Sequence, residues 1–299
     1  MAEADLITIA SDDLTARINP FGAELWSLTD GHGREYMTDA DPAFWTGHAP
    51  VLFPIVGELR GGAYRLDGQD YALPRHGFAR RSPFAVVEQR RDLVRLRLTD
   101  SAETRSVYPF AFVLEIAFRL IGARLEMEAR VANPGDELLP FSFGYHPAFA
   151  WPLPGGGDKL AHALTFAQPE SAALALLDGK GLVAGHVPSP VEGDRLPLSP
   201  ALFDADAMIW DDLASRSLVY HGEPGGARLE IAFPDTPWLG VWQKPGANYI
   251  CIEPWQGLAD AADFTGDFRD KPGVIELPPG GVHAMRMDVT VVPQEGLDR

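Results

Sequence analysis

With 299 residues, 46% hydrophobic and 22% charged, the chain has the composition of a folded globular protein, which excludes extended disorder. Its 25 Lys and Arg against 42 Asp and Glu give a formal charge of −17. Such a surface repels phosphate backbones and anionic lipid, so no nucleic acid and no membrane is expected as a partner.

The 30 Gly and 26 Pro break helix interiors and suit a fold of strands and turns. The one cysteine, Cys251, excludes an internal disulfide and a multi-cysteine metal site. No apolar run reaches the roughly 18 residues of a membrane span. The first residues also lack the cationic start of a secretory signal, so the expected location is cytoplasmic.

In chain order, β-rich runs predict strands over 6–10, 15–19, 24–29, 84–88, 93–98 and 112–120. The run 124–131 alternates cleanly. Leu125, Met127, Ala129 and Val131 fall on one face and Glu126, Glu128 and Arg130 on the other, the pattern of a half-buried antiparallel strand. The turn cluster Asn133-Pro134-Gly135-Asp136 ends it, and the Pro/Gly-rich stretch 152–157 reads as a long surface loop. Further strands are predicted over 218–221, 229–233 and 285–291. Helical signals are few: one turn at 42–45, a short helix at 171–177, and a turn or two over 257–264. With no fixed-period repeat and no low-complexity linker, the chain reads as one domain spanning 1–299, an all-β sandwich or barrel.

Phosphate-binding glycine loops, the nucleophile elbow of α/β-hydrolases and paired-histidine metal spacings are missing from the sequence. Three segments stand out instead. Leu73-Pro74-Arg75-His76-Gly77-Phe78-Ala79-Arg80-Arg81 sets a histidine among arginines. Phe141-Ser142-Phe143-Gly144-Tyr145-His146-Pro147-Ala148-Phe149 sets another among aromatic rings suited to stacking on a sugar. In Tyr249-Ile250-Cys251-Ile252-Glu253-Pro254-Trp255-Gln256-Gly257 an apolar strand ends at a single carboxylate, which must be paired or poised at a pocket edge. Each histidine alone reads as a structural hydrogen-bonder, Glu253 as the partner of an arginine and Trp255 as core. Together, two histidines and one glutamate are the parts of general acid–base catalysis.

The combination of His-Gly-Phe-Ala-Arg at 76–80, Gly-Tyr-His-Pro-Ala-Phe at 144–149 and Glu-Pro-Trp-x-Gly at 253–257 resembles the aldose 1-epimerase (galactose mutarotase-like) superfamily. The likeness is nearest its LacX-like branch, with features shared with hexose-6-phosphate mutarotases. It extends to Asn19-Pro20-Phe21-Gly22-Ala23-Glu24-Leu25, to Leu52-Phe53-Pro54-Ile55-Val56-Gly57 and to 203–210. The resemblance implies a large antiparallel β-sandwich of the galactose mutarotase type (a supersandwich) with few short helices and a sugar cleft on one concave sheet.

It also implies a reaction without cofactor or metal. Glu253 takes the proton of the sugar C1 hydroxyl while His146 protonates the ring oxygen. The ring opens to the aldehyde, the C1–C2 bond rotates, and closure gives the other anomer. His76 corresponds to a second histidine that hydrogen-bonds the sugar. Asp206 matches an acidic substrate-binding position, with Asp204 as the competing choice, and Tyr145 and Trp255 stand among the expected sugar contacts.

One departure concerns Glu58, which follows Gly57 where the family often has arginine. On a strand, Arg60 would share the face of Glu58 and restore the cation. Arg75, Arg80 and Arg81 are either surface charges or a phosphate clamp. If that segment is extended, only Arg80 shares the face of His76. The expected substrate is a free aldohexose or related sugar, bound by a monomer or homodimer. The alternatives are a hexose 6-phosphate held by Arg80 and a neighbour, or a non-catalytic carbohydrate-binding protein on the same fold.

Overall fold

The computed structural model describes residues 6–294, and within them the alternating runs of the sequence pair into antiparallel sheets. A nine-stranded sheet has the order Arg195–Pro197, Ala163–Phe166, Ser217–His221, Arg228–Ala232, Val282–Val292, Arg124–Ala132, Val113–Ile121, Leu93–Thr99, Ala85–Gln89. The strand Arg124–Ala132 pairs along its length with Val113–Ile121 and Val282–Val292, setting Met127 beside Phe118 and Met287. Its buried face is the apolar one, because alternate side chains leave a strand on opposite faces. The other face carries ion pairs such as Arg97–Glu115 and Arg228–Glu230.

An eight-stranded sheet runs Val183–Val187, Leu174–Leu177, Met208–Trp210, Trp238–Trp242, Tyr249–Gln256, Phe143–Tyr145, Val51–Leu52, with Ala148–Ala150 also paired to Tyr249–Gln256. All of Tyr249–Gln256 except Gln256 is buried. Ile250 and Ile252 join the core that also holds Phe118, Met127 and Met287 of the larger sheet. The opposite face, with Cys251, Glu253 and Trp255, belongs to the cleft side. A three-stranded sheet of Ile7–Ala10, Leu14–Asn19 and Glu24–Asp30 and two short ribbons complete the architecture among the described residues. No helix among them is long and apolar enough to cross a membrane.

Several local expectations are corrected. The segment 171–177 contains the strand Leu174–Leu177, not a helix. Ala175 pairs with Ile209, and burial of Leu174 and Ala175 in the sheet overrides their helix propensity. The stretch 257–264 is a loop in which Ala261 bridges to Val183 and Ala259 presses on Gly57, where a Cβ would lie 2.5 Å from the Ala259 nitrogen. An α-helix forms instead at Ala102–Val107, opened by a reciprocal cap between Ser101 and Thr104. The strand expected to end at Glu253 continues through Pro254 to Gln256. Gly57–Arg60 is not a strand, so Glu58 and Arg60 share no face, and Arg60–Gly62 is a 3-10 turn. Ala79–Arg81 is likewise a 3-10 turn and not an extended segment.

Candidate active site

The cleft face of the eight-stranded sheet floors a cavity of about 600 Å³, with loops forming its walls. Strand alternation aims Glu253 and Trp255 into it from Tyr249–Gln256. Glycine makes room for the indole on both sides. A Cβ at Gly144 would lie 2.5 Å from Trp255 Cδ1, and one at Gly240 would lie 2.7 Å from Trp255 Cη2. The neighbouring strands pair Gly144 with Trp255 and Gly240 with Glu253.

Glu253 is 1% exposed, and its Oε2 accepts no hydrogen bond. Burial pushes its carboxyl well above the usual range, the charge of Asp206 adds to this, and the Trp255 indole opposes it. His146 lies between the strands Phe143–Tyr145 and Ala148–Ala150, and its Nε2 stands 3.1 Å from Glu253 Oε2, off the line of a hydrogen bond. Burial lowers the pKa of His146, and Arg80 lowers it further against an opposing backbone hydrogen bond. Both effects disfavour charge, so the pair favours carboxylic acid with neutral imidazole.

His76 enters from the opposite wall. Its backbone is left-handed (φ +66°), and so is that of Gly77 (φ +71°), where a Cβ would overlap the Phe53 carbonyl. The turn lets His76 exchange two bonds with Gly57. The Gly57 N–H donates to His76 Nδ1 at 3.1 Å, and the His76 N–H donates to the Gly57 carbonyl at 2.9 Å. Burial holds His76 well below its ordinary pKa, and His146, Arg80 and Arg75 act in the same direction. A neutral ring accepting at Nδ1 carries its proton on Nε2. The two imidazoles stand edge to face at 5.8 Å between centroids.

Over most of its length the chain has known counterparts. The profile of the family described as Aldose 1-epimerase matches residues 5–280. Protein LacX (chromosomal) of Lactococcus lactis subsp. lactis is 31% identical over 96% of this chain and 99% of its own. The chain belongs to the aldose 1-epimerase family. A galactose mutarotase related enzyme from Lactobacillus acidophilus superposes with a TM-score of 0.91 at 31% identity, covering 97% of this chain and 98% of that one. For a galactose mutarotase-like protein from Lactobacillus casei the values are 0.89, 30%, 96% and 100%. A galactose 1-epimerase from Lactobacillus acidophilus, at 15% identity and a TM-score of 0.71, covering 97% and 95%, shares the fold. All-β supersandwich architecture of the galactose mutarotase type is therefore the fold of this chain.

Within this epimerase-family chain, the cavity brings together Glu253, His146, His76, Asp206, Arg80 and Trp255. Two expected contacts lie elsewhere. Tyr145 points into the inter-sheet core, its hydroxyl 2.9 Å from the Met285 carbonyl and 3.1 Å from that of Met127, because it alternates with Gly144 and His146. Arg60 reaches away from the cavity to the Phe264 carbonyl at 3.1 Å, while its backbone N–H donates to Asp260, the buried partner of Lys271. The cation opposite Glu58 is instead Arg75, at 3.1 Å.

Arg80 keeps its cavity position through the 3-10 turn, donating from Nη2 to the Arg75 carbonyl at 3.1 Å. Asp204 and Asp206 both line the cavity. Asp206 (φ +87°) is the one whose charge bears on Glu253.

Sequence reasoning missed Trp45, Trp242 and Lys244, all of which line the cavity. Trp45 packs 5.1 Å from the His146 ring, and Trp242 meets both, at 5.9 Å from Trp45 and 6.1 Å from His146. The available signals were slight: the turn at 42–45 for Trp45, and the run Trp242-Gln243-Lys244-Pro245-Gly246 at a strand end. Behind the pair, Cys251 joins His146 and Glu253 in a group whose potential metal-ligand atoms all lie within 4.8 Å of one another.

Proposed function

We propose that the chain is a cofactor-independent aldose 1-epimerase that interconverts the anomers of a free aldohexose or related sugar. The observation that carries this reading is the buried Glu253–His146 pair, 3.1 Å apart on the floor of a cavity of monosaccharide scale. Anomer exchange needs one proton removed from the C1 hydroxyl and one delivered to the ring oxygen. A pair that holds a single proton does both. As carboxylate and imidazolium it opens the ring, and as carboxylic acid and imidazole it closes the ring after C1–C2 rotation. Burial favours the neutral form in the empty cavity, and the charged form is reached once the sugar's own polar atoms enter and stabilise it. His76 Nε2–H, fixed by the Gly57 bond, supplies a neutral donor to the sugar oxygens. Trp45, Trp242 and Trp255 offer the aromatic faces.

The charge balance of the cavity supports an unphosphorylated substrate. Arg75 is tied to Glu58, Lys244 is exposed, and Asp204 and Asp206 face the same space as Arg80. A phosphate would meet these acidic groups with little unpaired cation to offset them. Polarimetry of freshly dissolved α-hexoses and their 6-phosphates tests the reading. Faster mutarotation of a free hexose that vanishes in Glu253→Gln is expected. Sugar binding without any rate increase would assign the chain to carbohydrate binding alone, and acceleration confined to 6-phosphates would overturn the substrate class.

A further inference from the structure

We propose that His146, Cys251 and Glu253 form a binding site for a borderline-soft divalent cation of the zinc class, and that its occupancy blocks the sugar reaction. Cys251 and Glu253 are two residues apart on one strand and so share its cleft face. His146 comes from beside the strand Ala148–Ala150, which pairs Ala148 with Cys251. One ligand atom from each lies within 4.8 Å of the others, and the nitrogen and carboxylate oxygen are 3.1 Å apart. Tetrahedral zinc with bonds of about 2.0–2.3 Å needs ligand atoms about 3.3–3.7 Å apart, so small side-chain rotations suffice.

A second observation points to a ligand at this place. Glu253 Oε2, the atom that faces His146 Nε2, is buried without any hydrogen-bond partner. Buried polar atoms are rarely left unpaired, since each then loses the hydrogen bonds it made to water.

The donor set fixes the class of ion. One nitrogen, one sulfur and one oxygen suit zinc and its neighbours, whereas magnesium and calcium call for oxygen alone. Behind the donors lies an apolar shell of Ala148, Ala247 and Tyr249, with Trp45 and Trp242 packed against it, and such a shell restricts solvent around a metal. Because His146 and Glu253 line the cavity, a fourth coordination position is open to water from that side. Binding exchanges the Cys251 S–H and Glu253 O–H bonds for sulfur–metal and oxygen–metal bonds and releases both protons to solvent. Because the ion would hold the two groups assigned to proton transfer, the inhibition rests on the epimerase reading. The site itself does not.

The test uses chelator-stripped full-length protein titrated with zinc chloride by calorimetry and with cobalt chloride by absorbance, alongside mutarotation in the presence of zinc. One ion per chain, a near-ultraviolet thiolate-to-cobalt band, and inhibition competitive with the sugar are expected. Cys251→Ser, or Cys251→Ala should the serine variant fold poorly, should keep the zinc-free rate and lose the band. Its zinc affinity should fall by more than the ~10–100-fold that loss of an outer-sphere partner causes. Zinc binding or inhibition unchanged in the Cys251 variants would overturn the site, as would no thiolate band in wild type. A chain that binds zinc with the thiolate band but never accelerates mutarotation would keep the site and refute only the epimerase reading.

Discussion

The two large sheets place their charges in opposite ways. On the nine-stranded sheet, Arg95, Arg97, Glu115 and Glu128 stand on the solvated face, where each ion pair is exchanged cheaply for water. On the eight-stranded sheet, Glu253 sits mid-strand with 1% exposure, and its neighbours along the same face are Cys251 and Trp255. A carboxyl there lowers stability whenever it ionises, a cost that a purely structural strand would avoid with an apolar residue. Charge on the first sheet serves solubility. On the second it sits where the proposed proton transfer would take place.

The sharpest way to break this comparison is Glu253→Gln. Mutarotation should fall by roughly 10²–10⁴-fold, the usual contribution of a positioned acid or base. A variant that keeps more than about a tenth of the rate would remove Glu253 from proton transfer. The same variant should gain stability. Since the folded pKa of Glu253 is raised, its stabilising contribution is complete below the unfolded value and is lost as pH climbs through the folded one. The Tm difference between variant and chelator-treated wild type should therefore widen from mildly acidic to alkaline buffer, by roughly 1.5–2 °C for each kcal/mol in a chain of this length. A difference constant with pH would contradict the burial argument.

His146→Asn should cost a comparable factor in kcat, and His76→Asn less, because His76 donates a hydrogen bond without exchanging a proton. Equal activity in the His146 variant would sink its assignment. In wild type, kcat/KM should hold across the interval where the pair carries one proton. It should decline on the alkaline side as Glu253 loses that proton, while burial of His146 moves the acid limb below the ordinary histidine range. An acid limb near the unperturbed value of about 6.5 would show that His146 is not desolvated.

Arg80→Ala separates the substrate classes with a smaller effect. Loss of a charge-assisted bond to the sugar should cost about 1.5–3 kcal/mol in titrations with a hexose, with no greater loss for its 6-phosphate. A loss selective for the phosphate would reverse the substrate assignment. The smallest effect belongs to the other sheet. Arg97 is 45% exposed in its pair with Glu115, so Arg97→Gln should change stability by no more than about 0.2–1 kcal/mol and leave mutarotation untouched. A large loss of activity there would mean that the solvated face is coupled to the cleft.

What the sequence by itself determined is concentrated where one face of a strand is wet. The runs through Leu125, Met127 and Ala129 and through Met285, Met287 and Val289 alternate because one side meets water and the other the core, so period and register are written in the residues. The motifs around His76, His146 and Glu253 were legible as types of chemistry, and the family likeness gathered them into one site.

The strands Phe143–Tyr145, Met208–Trp210 and Trp238–Trp242 lack a wet face along most of their length, and without it no alternation announces them. Leu174–Leu177 carries helix-favouring Leu and Ala, and only the burial of Leu174 and Ala175 in the sheet makes it a strand. Which side chains reach the cavity was decided in three dimensions. Tyr145 and His146 are adjacent in sequence, yet one bonds inside the core and the other faces Glu253. Arg75, and not Arg60, answers Glu58, because a turn replaces the expected strand. Long-range pairing placed Trp45 and Trp242 on one wall, and burial set the protonation of the Glu253–His146 pair. Both depend on neighbours brought together only by folding, since desolvation is a property of the surroundings and not of the residue.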